Sequence, residues 1–357
     1  MAPLPTGAVI GCLGTGQLGR MLALAAAPLG YRVHAFGPAT AGPLLQVTDL
    51  RTVAAYNDQE ALAAFADVVD VVTYEFENVP ASTAAFLSER VPVRPGPRLL
   101  DMSQDRLVEK RFAQSCGART APYMGVYTRD DLRHAVAELG VPSVLKTRRF
   151  GYDGKGQVVL RSADPEALDA AWARLRGVPC ILEGFVDFAF EASVVVARGL
   201  DGDVRPFPLV ENVHRNHILW QTYAPARVDP EVRRRAERIA VAMAETVELV
   251  GVMAVEFFVE PDGTVRVNEL APRTHNSGHW TQDGCATCQF AQQVRAITGL
   301  PLGPVDVLHP TVMTNLLGDD LADLPTHIAD PACRVHLYGK GEVRAGRKMG
   351  HINRRVG

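Results

Sequence analysis

The sequence is poor in cysteine, and the six it has are scattered: Cys12, Cys116, Cys180, Cys285, Cys288 and Cys333 among 357 residues. That scatter argues against a disulfide framework and fits a reducing, cytoplasmic setting. Cys285-Ala-Thr-Cys288 is a lone C-x-x-C with no second pair to complete a zinc site, and reads as two thiols on one helix. Net charge is scarce too, at −3. Nothing in that balance marks nucleic acid or an anionic membrane as a partner. No run of about 18 apolar residues occurs, so no membrane span is expected. Residues 1–19 carry no side-chain charge, but a secretory leader is not expected. It would need a basic n-region, and Gly11, Gly14, Gly16 and Gly19 interrupt the apolar stretch. Internal repeats and low-complexity tracts are missing as well.

What remains is a composition with a real core, 47% hydrophobic and 22% charged, in a chain long enough for two or three domains. Apolar runs at 8–13, 31–36 and 70–74 predict strands, with a helix over 17–29, so the first unit reads as a parallel sheet with crossover helices. It ends at Pro95-Gly96-Pro97. Further on, helices are predicted over 101–116, 230–250 and 282–298, the second carrying Glu231 and Arg235 at i,i+4 spacing. Strands are predicted at 143–147, 157–161, 180–186 and 191–198, a hairpin over 252–270, and short strands and turns after Pro301.

Four segments carry chemistry. Gly14-Thr-Gly-Gln-Leu-Gly19 matches G-x-G-x-x-G between a strand and a helix, which points backbone N–H groups at an anion. A dinucleotide fold would add an acidic residue at the end of the second strand, where Ala35-Phe36-Gly37-Pro38 has none. Another phosphate ligand and a merely tight turn both stay open. Within 252–270, Asp262-Gly263 is a two-residue hairpin signal. That loop would pair Pro261 with Thr264, Phe258 with Val267 and Glu256 with Glu269, and turn Asn268 to the other face. Opposed carboxylates repel, and a hard cation such as magnesium resolves the repulsion. A solvated pair or a shared proton is the alternative, and a three-residue loop would shift the register.

Lys146 to Gln157 joins two strands through Gly151, Gly154 and Gly156, with Lys155 among them. This is no Walker A sequence, because GK[ST] is missing. With a carboxylate hairpin downstream it reads as a nucleotide lid rather than a structural turn. Glu183 could accept from an adenine amino group and Glu191 from ribose hydroxyls, or each could be an ordinary surface glutamate. Pro272 to His279 is dense in hydrogen-bonding groups directly after the carboxylate strand. Tyr338 to His351 gathers Lys340, Arg344, Arg347 and Lys348 among glycines, as a phosphate site or a solvated basic turn.

Taken together, these segments resemble the ATP-grasp superfamily, and within it the N5-carboxyaminoimidazole ribonucleotide synthetase family. The resemblance rests on Leu13–Met21, Thr73–Val79, Gly151–Gln157, Asn268–His279 and Tyr338–His351. It implies a mixed α/β and α+β chain with a Rossmann-like N-terminal domain at 1–100 and an ATP-grasp domain at 101–300. The lid lies within the latter at about 120–185, and a small β-rich C-terminal domain follows at 301–357. It implies a cytoplasmic homodimer that uses ATP, Mg2+, bicarbonate and 5-aminoimidazole ribonucleotide. The products are ADP, phosphate and N5-carboxyaminoimidazole ribonucleotide. Family members continue past the segment matching Gly350 to Asn353, so a shortened small domain is expected here.

Carried over by position, the resemblance implies ATP contacts from Arg106, Lys146, Gly151, Tyr152, Asp153, Gly154, Lys155, Gly156 and Gln157. Glu183, Gly184, Phe185, Val186, Glu191, His214, Asn268 and Glu269 complete them. Glu256 and Glu269 are the implied metal ligands. The ribonucleotide falls to Gln17, Leu18, Glu75, Arg273, His275, Asn276, Lys340, Arg347 and Lys348. Asp153, Tyr152, Lys146 and Arg273 are the expected catalytic groups, with Asp153 orienting the amine or taking its proton. Rival readings are another ATP-grasp enzyme (a formate-using transformylase or a biotin carboxylase), a nicotinamide oxidoreductase, and a non-catalytic nucleotide sensor.

Overall fold

A computed structural model describes residues 2–151 and 156–356. Three sheets organise them. The first is parallel, with strands Val9–Leu13, Arg32–Gly37 and Val71–Tyr74 and the short edge strand Arg51–Val53. Leu13, Phe36, Phe65 and Val72 fill one side of it, and Ile10, Val33, Leu22 and Val71 the other. Burial on both faces explains why these strands read as unbroken apolar runs.

The largest sheet has ten strands. At its centre, Phe190–Arg198 pairs antiparallel with Gly251–Val259, which pairs with Val265–Ala271. Met253, Val255 and Phe257 pack with Ala236, Ala240 and Met243 of the helix Pro230–Thr246. Strand alternation then sends Glu256 and Phe258 to the opposite face. Strands Thr311–Leu317, Cys333–Leu337 and Lys348–Arg355 extend the same sheet at one end. The third sheet, within Tyr123 to Gly184, packs Leu145 and Leu182 against the helices Arg129–Leu139 and Pro165–Arg174, the latter contributing Trp172.

The structure changes several sequence expectations. The helix expected over 101–116 is two, Pro97–Ser103 and Arg106–Ser115. Asp105 interrupts them in an extended conformation, and its carboxylate accepts from Leu107 N and Val108 N. A short acidic side chain that satisfies free helix N–H groups starts a new helix at that point. The same carboxylate holds Arg148 Nη2 at 2.8 Å and Arg149 Nε at 3.4 Å. Asp105→Ala is therefore expected to cost about 1–2 kcal/mol through the lost cap, and more through the freed arginines. Chemical denaturation checks this, and an unchanged midpoint would contradict the capping role.

The helix expected over 282–298 is likewise interrupted, between Thr281–Gly284 and Gln289–Thr298. Cys285 and Cys288 flank the break instead of sharing a helix. Cys285 is extended and bridges to Val307, while Cys288 caps the second helix with its sulfur accepting from Ala291 N. Glu231 bonds Arg234 and Arg238, not Arg235, whose guanidinium reaches Gly263 O. After Pro301 the chain also forms a short helix, Leu324–Ala329.

The hairpin shows the most instructive difference. Glu260 and Thr264 close a three-residue loop, with Gly263 in the left-handed region at φ +79°. The register near the loop pairs Phe257 with Val267 and Phe258 with Arg266, one residue away from the expected alignment. A bulge at Asn268 takes up the difference, so Glu256 still stands opposite Glu269. Because a bulge sets two residues against one, Asn268 is not turned away as expected. It lines the same cavity as Glu269.

Candidate active site

A cavity of about 1050 Å³ is lined by residues of all three sheets. Lys146, Gln157 and Glu183 come from the third sheet, Glu256 and Glu269 from the large one, and Gly16 and Glu75 from the ends of the parallel strands. Most residues singled out in the sequence meet there. Gln17, Leu18, Arg106, Gly151, Gly184, Phe185, Val186, Glu191, His214, Asn268, Arg273, His275, Asn276 and Lys348 line it as well. Gly156, Lys340 and Arg347 do not line it. Lys340 lies beside Tyr338, which does, and Arg347 donates to Glu342 O. Tyr152, Asp153, Gly154 and Lys155 lie outside the described residues.

Glu183 is no surface glutamate: it is 4% exposed, and its two oxygens meet Lys146 Nζ at 2.9 Å and Lys110 Nζ at 3.2 Å. Burial alone would raise its pKa. The two ammonium charges outweigh that and hold it at about 2. Glu191 Oε2 lies 2.6 Å from His214 Nδ1. Burial opposes a charge on that imidazole, but the Glu191 hydrogen bond prevails and raises its pKa. His214 comes from a hairpin that sequence reading overlooked, Val210–Arg215 and Ile218–Ala224. Its turn residues Asn216 and His217 both have positive φ without being glycine, so the usual turn signal was missing.

The amino-terminal glycine loop does bind an anion, and the anion is the protein's own Glu75. Gly16 N and Gly19 N both donate to its carboxylate, the second at 2.8 Å. A Cβ on Gly16 would meet Glu75 Oε1 at 2.7 Å, so any larger residue there would displace the carboxylate from the loop. Burial raises the Glu75 pKa, and the two N–H donors pull it back in part.

Glu256 and Glu269 face each other across the bulge. Burial works against charge on Glu256, but His275 Nε2 at 3.0 Å, with the charges of His214 and Arg273, holds its pKa low. The Glu269 side chain reaches into the cavity, where the protein enclosing it and the Glu256 charge push its pKa up. Such an oxygen-only pair, each destabilising the other's charge, fits a hard divalent cation that keeps other sites for water and phosphate. Among the described residues, no three His, Cys, Asp or Glu side chains form a ready-made metal cage. Two residues that sequence reading did not single out complete the wall. Glu77 takes Arg273 Nε at 2.5 Å, and that charge, against burial, holds Glu77 at about 2. Glu109 is buried beside Glu269.

Asn276 lines the cavity with both side-chain polar atoms buried and without a hydrogen-bond partner in the protein. Buried polar groups are ordinarily satisfied, so this amide has hydrogen-bonding capacity left over at the cavity wall.

Comparison with known proteins covers nearly the whole chain. Family models match in succession: a ribonucleotide synthetase preATP-grasp domain at residues 8–104 and an ATP-grasp domain at 111–290. The third match is a phosphoribosylaminoimidazole carboxylase C-terminal domain at 311–355. The N5-carboxyaminoimidazole ribonucleotide synthase of Brucella melitensis is 47% identical over 98% of this chain and 97% of its own. The chain belongs to that family. The Bacillus subtilis N5-carboxyaminoimidazole ribonucleotide synthase is 46% identical, over 97% of this chain and 91% of its own. An N5-carboxyaminoimidazole ribonucleotide synthetase solved with ADP matches with TM-score 0.95 and 44% identity, covering 99% of this chain and 94% of that one. The Aspergillus clavatus enzyme, solved with ADP and 5-aminoimidazole ribonucleotide, matches with TM-score 0.91 and 30% identity, over 98% and 94%. The fold is accordingly the ATP-grasp fold, flanked by a preATP-grasp domain and the family's C-terminal domain, and the chain is an ATP-binding ligase of this family. No helix among the described residues is long and apolar enough to cross a membrane.

Proposed function

We infer that this protein carboxylates the amine of 5-aminoimidazole ribonucleotide at the expense of ATP and bicarbonate, in purine biosynthesis. The observation that carries the reading is the convergence of three sets of residues on one cavity. They are Lys146 with Glu183, the Glu256–Glu269 pair, and Arg273 to Asn276, in a chain whose relative holds ADP and this ribonucleotide together. Bicarbonate is a poor electrophile, and phosphorylation to carboxyphosphate would activate it. Mg2+ held by Glu256 and Glu269 would neutralise phosphate charge when bound.

The chain's own groups do the rest. Arg106 donates to Phe150 O and Gly151 O at the base of the lid segment, which ties the segment to the nucleotide side. Lys146, fixed by Glu183, presents charge toward the phosphates. The pocket floor from Arg273 to Asn276 orients the ribonucleotide, with Glu75, Gln17 and Leu18 beside it and Lys348 near its phosphate; Lys340 and Arg347, on the same segment but outside the cavity lining, would reach it only by side-chain movement. Asp153 orients the amine or takes its proton as the N–C bond forms, and lid closure keeps water from the intermediate. The division into 1–100, 101–300 with a lid at about 120–185, and 301–357 belongs to the same proposal. So do a homodimer, measurable by light scattering, and a cytoplasmic location.

The test is ADP release with and without 5-aminoimidazole ribonucleotide at limiting bicarbonate. Dependence on both is expected. ADP release with formate in place of bicarbonate, or with biotin in place of the ribonucleotide, would point to another ATP-grasp reaction. Asp153→Ala is expected to lower carboxylation by about 10²–10⁴-fold, well beyond any loss of ATP affinity. Loss of ATP affinity alone would contradict that role.

A further inference from the structure

The bulge that sets Glu269 opposite Glu256 is held from behind by one turn of helix. Glu109 and Lys110 are neighbours on Arg106–Ser115, 3% and 2% exposed. Glu109 Oε1 accepts from Leu270 N at 2.6 Å, and Lys110 Nζ donates to Asn268 O at 3.2 Å. These two backbone groups lie on either side of Glu269. Lys110 also reaches Glu183 Oε1 at 3.2 Å, so the same turn links the carboxylate strand to the partner of Lys146.

A bulge leaves its extra residue outside the regular ladder, and buried backbone groups need partners. Without the clamp, the short route to satisfaction is a register slip of one residue. That slip would carry on the alignment seen nearer the loop, where Phe257 meets Val267. Glu256 would then face Asn268, and the two carboxylates would part company. The helix start adds a second connection. Arg106 N donates to Arg148 O, and Asp105 holds Arg148 and Arg149, so the element that clamps the bulge is also anchored to the base of the lid segment.

We propose that Glu109 and Lys110 are positioning residues that clamp the Asn268 bulge and thereby place Glu269 for metal binding. The proposal rests on the reading of Glu256 and Glu269 as magnesium ligands. Outer partners of metal ligands carry a recognisable share of metal affinity, about 10–100-fold when lost.

The test measures how ADP affinity depends on Mg2+, by calorimetry on the full chain. Glu109→Leu keeps a buried side chain but removes the acceptor for Leu270 N. It is expected to raise the Mg2+ concentration for half-maximal tightening about tenfold or more, and to change ADP affinity in Mg2+-free buffer far less. Glu109→Gln keeps an acceptor oxygen at the same reach and should restore wild-type Mg2+ dependence. Should Glu109→Leu not fold, Glu109→Asp falls one carbon short and reads the same quantity. Unchanged Mg2+ dependence in the variant that folds overturns the clamp. An equal loss of ADP affinity without Mg2+ overturns it too, since that marks a general structural defect. Glu269→Gln serves as the control for the underlying reading. If it leaves the Mg2+ dependence intact, the metal assignment fails, whatever Glu109 does.

Discussion

Glu269→Gln is expected to reduce ADP formation about a thousandfold or more at ordinary Mg2+ concentrations. The amide keeps the shape of the side chain and removes its charge, so the strand and the bulge should survive. What is lost is one of two carboxylates facing each other across the hairpin. Metal stabilisation of phosphoryl transfer contributes several kcal/mol, and each 1.4 kcal/mol is about tenfold in rate. The variant should also be easier to fold without metal, because Glu269 no longer repels Glu256. A coupled ADP assay over a Mg2+ titration reads the first effect and denaturation in EDTA the second. Near-normal turnover would remove Glu269 from the metal site.

Glu183→Gln has the second largest expected effect, on stability as well as on nucleotide binding. Glu183 is buried between Lys146 and Lys110. Removing one member of a buried charge cluster strands the others and costs about 3–5 kcal/mol. Here two ammonium groups would be left without their carboxylate, and Lys146 would lose the contact that aims it. The pH dependence gives the effect a signature. The folded-state pKa is depressed from 4.5 to about 2. The contribution is therefore fully present above pH 4.5 and is lost as the pH falls toward 2. At pH 4 the gap between wild type and Glu183→Gln should already be about 1 kcal/mol smaller than at pH 7. Urea unfolding at the two pH values checks it. A gap that stays constant or widens on acidification would show that the carboxylate is not held by charge.

How far the sequence could be read depended on whether the signal was local. The buried strand at Val9–Leu13, the turn at Gly14–Gly19 and the paired strands around Lys146 were legible from apolar runs and glycine spacing. The helix break at Asp105 was legible in principle, since aspartate is a preferred cap, but the apolar spacing on both sides masked it. The hairpin around His214 had no signal to read, because its turn uses Asn216 and His217 where glycine is usual. Lys110 and Glu109 sit on the buried stripe of a helix with Leu107 and Ala113. Charge on an apolar stripe was the available clue to their role.

The sequence by itself determined the family, because the family's segments occur in order along nearly the whole chain, and it supplied the charged and hydrogen-bonding side chains that most of the cavity wall uses. The tertiary structure alone decided how those groups are matched. The glycine loop could have faced a ligand phosphate, yet its N–H groups hold Glu75. The two-residue loop inferred from Asp262-Gly263 would have aligned Glu256 with Glu269 directly. The chain instead uses a three-residue loop and recovers the same pairing through a bulge. Strand register is set by contacts from outside the hairpin, here Glu109 and Lys110 more than 150 residues earlier in the chain, and local pattern cannot encode a partner that far away.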